Sequence, residues 1–217
     1  MPRIMETTVY TFAELSKSAK EKAREWMRNS EAEDFQPEME QFETAAKILG
    51  ITFATNTRKR SNGKTWEELD IAYSGFSSQG DGASFTGSYQ FAPGCSEAIR
   101  KEFGTDTKLA TIADELSALW VRLILKYGTP ARTFEAKITR HSSQYSHANT
   151  MDASIYDSEG EELDTETWEE FRDLMCDFAN WIYRSLEADY NYRLSDEAID
   201  KTIEANEYEF DEDGERV

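Results

Sequence analysis

Apolar residues spaced three and four positions apart predict two helices near the start of the chain. One runs from Ser18 to about Arg28, and Ser18 with Glu21 has the spacing of a capping box. The other begins near Pro37, a residue suited to a first helical turn, and ends at Gly50. We expect the apolar face of each helix to be buried.

The same period returns in the middle and in the last third of the chain. It predicts a helix from about Thr107 to Tyr127, and a longer one starting near Thr167, which again has capping-box spacing to Glu170. A shorter helix is predicted from Ser195 to about Ala205. The stripe of the long helix, which we expect to be buried, comprises Trp168, Phe171, Met175, Phe178, Ile182 and Leu186.

Between these helices, β-branched and aromatic residues alternate with polar ones, which predicts strands. They are expected at Thr7–Phe12, in a β-meander between Ile51 and Phe91 with a turn at Ser61-Asn62-Gly63, at Thr133–Thr139 and at Met151–Tyr156. Strands flanked by helices favour an α+β fold, an antiparallel sheet covered by several helices, with a long C-terminal helix. We expect a single α+β domain over residues 1–217, with an acidic helical part from about 157 to 217.

The composition, with 39% hydrophobic and 31% charged residues, is typical of a globular chain with a very polar surface. No apolar run is long enough for a membrane span, and no signal-peptide core follows the N-terminus. These features predict a cytoplasmic protein without membrane contact. Cys95 and Cys176 lie far apart and outside any CxxC pair, so we expect buried, packed thiols and no zinc or redox motif.

Charge is distributed very unevenly along the chain, whose net charge is -19. Residues 1–156 hold 21 acidic and 19 basic residues, a net of -2, whereas residues 157–217 hold 22 and 5, a net of -17. Such an acidic segment repels phosphate backbones and anionic membranes. We therefore expect a basic protein partner, and no direct nucleic-acid binding through the acidic C-terminal part.

The predicted long helix carries a line of carboxylates at helical spacing. Its members are Glu166, Glu169, Glu170, Asp173 and Asp177. At about 1.5 Å per residue the line spans roughly 16 Å. It is interpreted either as a solvated face or as a surface for a basic partner.

Two polar connections are further candidates. The Gly-rich loop, residues 74–82, contains Ser77, Ser78, Gln79 and Asp81; it lacks the lysine and the helix start of a phosphate-binding loop. The histidine connection, residues 140–149, holds His141 and His147. Their spacing matches no standard metal site, and the chain has no GxSxG motif. The Gly-rich loop is interpreted as a structural hairpin, as a partner or ligand contact, or as a catalytic loop. The histidines are interpreted as ordinary loop residues, as hydrogen-bonding residues of a binding site, or as metal or catalytic groups. A composite site would require the two connections to lie close together.

Three segments resemble an uncharacterised family carried by bacteriophages and prophages, labelled "antitoxin of toxin-antitoxin stability system". These segments are LSKSAKEKAREW, YSGFSSQGDGASFTGSY and SDEAIDKTIEANEYEFDEDG. The resemblance covers most of the chain. It implies a phage context, and hence the host cytoplasm, together with an inhibitory role, and it assigns no catalytic residue.

Three hypotheses follow from these features. The first is a non-enzymatic phage-type protein that binds a basic host, defence or toxin protein, as an antitoxin or a nucleic-acid mimic, and whether it also inhibits that partner is left open. The second is a small-molecule-binding domain or hydrolase with its site at the Gly-rich loop and the His141/His147 connection. The third is an accessory phage protein whose acidity serves solubility. None requires a cofactor or metal, and the sequence leaves partner identity and oligomeric state open.

Overall fold

A computed structural model of the chain describes residues 8–30, 35–127, 134–141, 145–157 and 159–217. These residues fall into two compact units. The central unit runs from Phe35 to Leu186, and the terminal unit combines the chain ends, up to Asp34 and from Glu187. The single α+β domain expected over residues 1–217 stays a prediction, and the two compact units are a finer division of the chain.

The helices and strands of the described residues are, in chain order, β1 (Tyr10–Thr11), α1 (Lys17–Ser30), α2 (Gln36–Leu49), β2 (Ile51–Phe53), β3 (Thr55–Lys59), β4 (Thr65–Leu69), β5 (Ile71–Ser74), β6 (Gly82–Phe85), β7 (Gly87–Tyr89), α3 (Cys95–Phe103), α4 (Thr107–Tyr127), β8 (Glu135–Arg140), β9 (Met151–Tyr156), α5 (Thr165–Arg193), α6 (Asp196–Ala205) and β10 (Glu209–Phe210). The predicted α+β class, with antiparallel strands and a long C-terminal helix, is confirmed. Thr7 and Thr133, the first residues of two predicted strands, lie outside the described residues.

A four-stranded antiparallel sheet forms the centre of the larger unit, in the order β2, β7, β8, β9. Side chains alternate across it, so that Phe53, Tyr89 and Ile138 are buried while Ser88 and Lys137 are exposed. The predicted alternation therefore corresponds to one covered and one open face.

The segment from Ile51 to Tyr89 contains three antiparallel strand pairs, here called ribbons, one of which belongs to the four-stranded sheet. A simple meander does not have this connectivity. β2 pairs with β7, β3 with β4, and β5 with β6. The ribbons meet where Ala54 N–H donates to Thr86 O (2.8 Å), Asp70 N–H to Ala54 O (2.7 Å), and Thr86 N–H to Asp70 O (3.1 Å). The Asp70 carboxylate also accepts hydrogen bonds from the Thr86 hydroxyl and from Arg140 Nη2 (2.7 Å). One side chain thus joins this junction to β8.

Helix α5 supplies the largest apolar stripe of the central unit. It begins at Thr165, because Asp164 Oδ1 accepts from Thr167 N (3.2 Å) and caps the first turn. Phe171 and Phe178 are fully buried, as predicted. Trp168, expected in the same buried stripe, is instead half-buried, with the Arg172 guanidinium 5.8 Å from its ring.

The terminal unit brings together the first and last strands. β1 pairs antiparallel with β10, and α1 and α6 pack over a core that includes Phe12, Met27 and Phe210. The last residues of the acidic C-terminal segment pack on this unit, where the Arg216 guanidinium lies 5.0 Å from the Trp26 ring. None of the helices in the described ranges has the length and apolar character needed to cross a bilayer.

Candidate interaction sites

The predicted acidic line on α5 is a real surface feature, but its members differ in environment. Glu166, Glu169 and Asp173 are exposed, while Glu170 and Asp177 are half-buried. All five project from one side of α5 because they are three or four residues apart.

Helix α4 faces this line with cations that engage some of its carboxylates. Arg122 pairs with Glu170, and Lys108 Nζ lies 2.6 Å from Asp177 Oδ2. Lys126 Nζ lies 2.8 Å from Asp164 Oδ2, and this hydrogen bond holds the pKa of Asp164 well below its usual range. Glu170 and Asp177 therefore help to hold α5 against α4, a role that spacing along α5 alone did not reveal.

A residue of α4 extends the acidic surface. Glu115 is exposed and lines a depression of about 680 Å³ together with the α5 carboxylates. We call this the acidic depression; its carboxylates are Glu115, Glu166, Glu169, Glu170, Asp173 and Asp177. The sequence did not predict Glu115 as part of this surface, because α4 lies far from α5 along the chain. Its position on the polar side of α4 indicated only that it faces solvent.

The Gly-rich loop is held by its own aspartate. Asp81 Oδ2 accepts from the backbone N–H groups of Ser77 (2.8 Å) and Ser78 (2.5 Å). A Cβ added at Gly75, where φ is +39°, would lie 2.7 Å from Asp81 Oδ1. The Asp81 carboxylate therefore organises the loop, whereas Gln79 is exposed.

The Gly-rich loop and the histidine connection meet in the structure. A Cβ added at Gly82 would lie 2.5 Å from His147 Cβ, and the Ser74 hydroxyl donates to Ser146 O (3.2 Å). Within the same loop, the Phe76 ring stacks on Tyr183 of α5, with 5.8 Å between the ring centroids. The geometric condition for a composite site is therefore met.

The arrangement of these groups does not resemble a catalytic triad. The His147 backbone carbonyl accepts from Thr150 N (2.8 Å) and Thr150 Oγ1 (2.7 Å), which fixes the backbone and leaves the imidazole role open. His141 is exposed, and its backbone N–H donates to the Thr150 backbone carbonyl (2.9 Å). No hydrogen bond within the described ranges links a serine hydroxyl to either imidazole, and those ranges contain no His, Cys, Asp and Glu group arranged to hold a metal.

Of the two thiols expected to be buried, one is buried and the other is half-buried. Cys95 is buried and lies 3.3 Å from the Ser117 hydroxyl. Cys176 is half-buried and donates to Ala148 O (3.3 Å). Burial raises the pKa of the Cys176 thiol, which disfavours the nucleophilic thiolate.

Replacing Gly82 with alanine is expected to lower stability by about 1–3 kcal/mol, because the new methyl group overlaps His147. The backbone φ of Gly82 is not in the left-handed region. The expected loss of stability therefore comes from packing and not from the φ restriction that a Gly-rich loop suggests. Thermal unfolding of Gly82→Ala, alone and combined with His147→Gly, measures the effect. Gln79→Ala is the control and should change little; an unchanged melting temperature for Gly82→Ala would contradict the contact.

Comparison with protein families assigns the central unit. A family described as "Domain of unknown function (DUF8835)" matches residues 35–196, more than half of the chain. The chain belongs to this family. The DUF8835 region contains the acidic depression, the Gly-rich loop and the histidine connection, whereas α1 and β10 lie outside it. No curated protein and no solved structure matches the chain.

Proposed function

We propose that this protein is a non-enzymatic interaction module that binds a basic protein through the acidic depression. The observation that supports this function is that Glu115 of α4 lies beside the α5 carboxylates in one concave surface. Glu115, Glu166 and Glu169 are exposed, and none is within ion-pairing distance of a cation among the described residues. They remain available to lysine and arginine side chains of a partner.

The charge distribution supports the same function. Residues 157–217 have a net charge of -17, so a basic partner is attracted before contact and an anionic one is repelled. Charge-assisted hydrogen bonds to arginine then favour the docked complex. The resemblance to phage antitoxin-labelled proteins supports an inhibitory outcome of binding in the host cytoplasm. If binding has no inhibitory effect, the protein is an accessory one.

The test is capture from bacterial lysate by the tagged full chain, followed by titration of the recovered protein. The triple variant Glu115→Gln, Glu166→Gln, Glu169→Gln is expected to lose the partner while retaining its fold, since the ion pairs of Glu170 and Asp177 with α4 stay intact. Binding should also weaken as salt rises, because exposed charges are screened over about 8 Å at physiological ionic strength.

The matched control changes the net charge equally at exposed glutamates of the terminal unit, with Glu204→Gln, Glu209→Gln and Glu212→Gln. It should retain the partner. Equal losses in both variants would show that overall charge, and not the acidic depression, drives the association.

The contact between Gly82 and His147 favours a second candidate, a ligand site at the joined connections. In that case Ser77→Ala, Gln79→Ala and His147→Ala should share one loss of function without lowering the melting temperature. Full function of all three variants would leave the Gly-rich loop with a structural role.

A further inference from the structure

The β3–β4 ribbon carries a net positive charge in an acidic protein. Residues 55–69 hold 4 basic and 2 acidic residues, a net of +2, in a chain of net charge -19. Every residue from Thr55 to Glu68 is exposed, so neither face of the ribbon is buried against the rest of the unit. With five residues in each strand at about 3.4 Å, the ribbon extends about 17 Å.

Most of the cations share one face of this ribbon with its tryptophan. Trp66 lies directly opposite Arg58, and Arg60 is hydrogen-bonded across from Lys64. Opposite residues point to the same face, and so do residues two apart on one strand. We call the face of Arg58, Arg60, Lys64 and Trp66 the basic face.

The cations of the basic face are largely free to meet an anion. The Arg60 guanidinium lies 5.3 Å from the ring of Trp66, which is 41% exposed. Arg58 pairs with Glu68 at 2.5 Å, whereas Arg60 and Lys64 form no ion pair with a carboxylate among the described residues. Stacking against the indole restricts Arg60 without neutralising it.

Hydrogen bonds within the hairpin define the conformation of the ribbon tip. Arg60 N donates to Lys64 O (2.8 Å), and Gly63 N to Arg60 O (2.9 Å). Gly63 adopts a φ of +82°, as a three-residue hairpin loop requires, and Lys64 N donates to Asn62 Oδ1 (3.0 Å). Such preorganisation lowers the entropic cost of binding.

We propose that the β3–β4 ribbon binds duplex DNA with its basic face. A B-form major groove is about 12 Å wide and admits a two-stranded β-ribbon, and arginine and lysine bind its phosphates and guanine edges. The ribbon lies outside residues 157–217. The repulsion of phosphate by that acidic segment therefore does not apply to the ribbon itself. Association of the basic face with the acidic depression of a second copy is the competing outcome, and the test below distinguishes it from DNA binding.

The experiment is fluorescence anisotropy of a short fluorescein-labelled DNA duplex titrated with the full chain between about 50 and 200 mM salt. The ribbon variant Arg60→Gln, Lys64→Gln is expected to bind about tenfold or more weakly at low salt and to lower the salt slope by about 2. The matched control is Lys47→Gln, Lys101→Gln, which removes two exposed cations from α2 and α3 and should bind like the wild type.

Sedimentation of the same proteins identifies self-association. The proposal is overturned if the wild type does not bind the duplex, or if the ribbon variant and the control lose affinity equally. It is also overturned if the ribbon variant changes only the oligomeric state, or if single-stranded DNA or RNA binds in preference to the duplex. The test of the acidic depression uses other residues, so failure of duplex binding leaves the proposed function intact.

Discussion

Replacing Phe178 with alanine is expected to lower the free energy of unfolding by about 3–5 kcal/mol. Phe178 is fully buried on α5, and its ring lies 5.7 Å from Phe85, 6.3 Å from Phe53 and 5.5 Å from Trp181. The substitution removes apolar surface from the core and leaves a cavity lined by strand residues and helix residues. Denaturant unfolding followed by circular dichroism measures the loss.

Trp168→Ala is the matched comparison on the same helix. Because its ring is half-buried under Arg172, the expected loss is smaller, about 1 kcal/mol. Both residues belong to the central unit, so separate unfolding of the terminal unit affects both measurements alike. Equal losses, or a larger loss for Trp168→Ala, would contradict the observed packing of α5.

Asp70→Asn is expected to cost about 2–3 kcal/mol, because it removes the charge that joins the three-ribbon junction to β8. Its partner Arg140 has a side chain only 23% exposed and would lose that carboxylate. Asp114→Asn is the control, since Asp114 pairs with Arg100 at an exposed site and should cost about 0.5 kcal/mol or less. A loss no larger than that of the control would show that the junction does not depend on Asp70.

The effect of Asp70→Asn also depends on pH. Burial of Asp70 opposes its ionisation, but hydrogen bonds from Thr86 and Arg140 outweigh burial and lower its pKa. A lowered folded-state pKa stabilises the fold above the ordinary Asp pKa of about 3.9, and this contribution is lost as pH falls through the folded-state pKa. The difference in unfolding free energy between wild type and Asp70→Asn should therefore be constant above about pH 5 and shrink in stronger acid.

The local pattern of the sequence was sufficient to predict most helices and the alternation of strands. Pro37 and Gly50 mark the observed ends of α2 within a residue or two, and α4 matches its predicted bounds. These features depend on neighbours three, four or two residues away, which is the range that periodicity reports. The nine-residue α3 was missed, because only Cys95 and Ile99 of its residues are buried and so short a stripe is weak.

The tertiary structure alone decided which distant residues meet. The pairing of β1 with β10, the junction at Ala54, Asp70 and Thr86, and the contact of Gly82 with His147 join segments whose register no local pattern specifies. Likewise, spacing in the sequence predicted five carboxylates on one side of α5. Only the packing of α5 against α4 places Glu115 beside them and pairs Glu170 with Arg122. Local periodicity determines which face of each helix or strand is apolar. Which faces and charges pair with each other depends on how all elements of the chain are buried together.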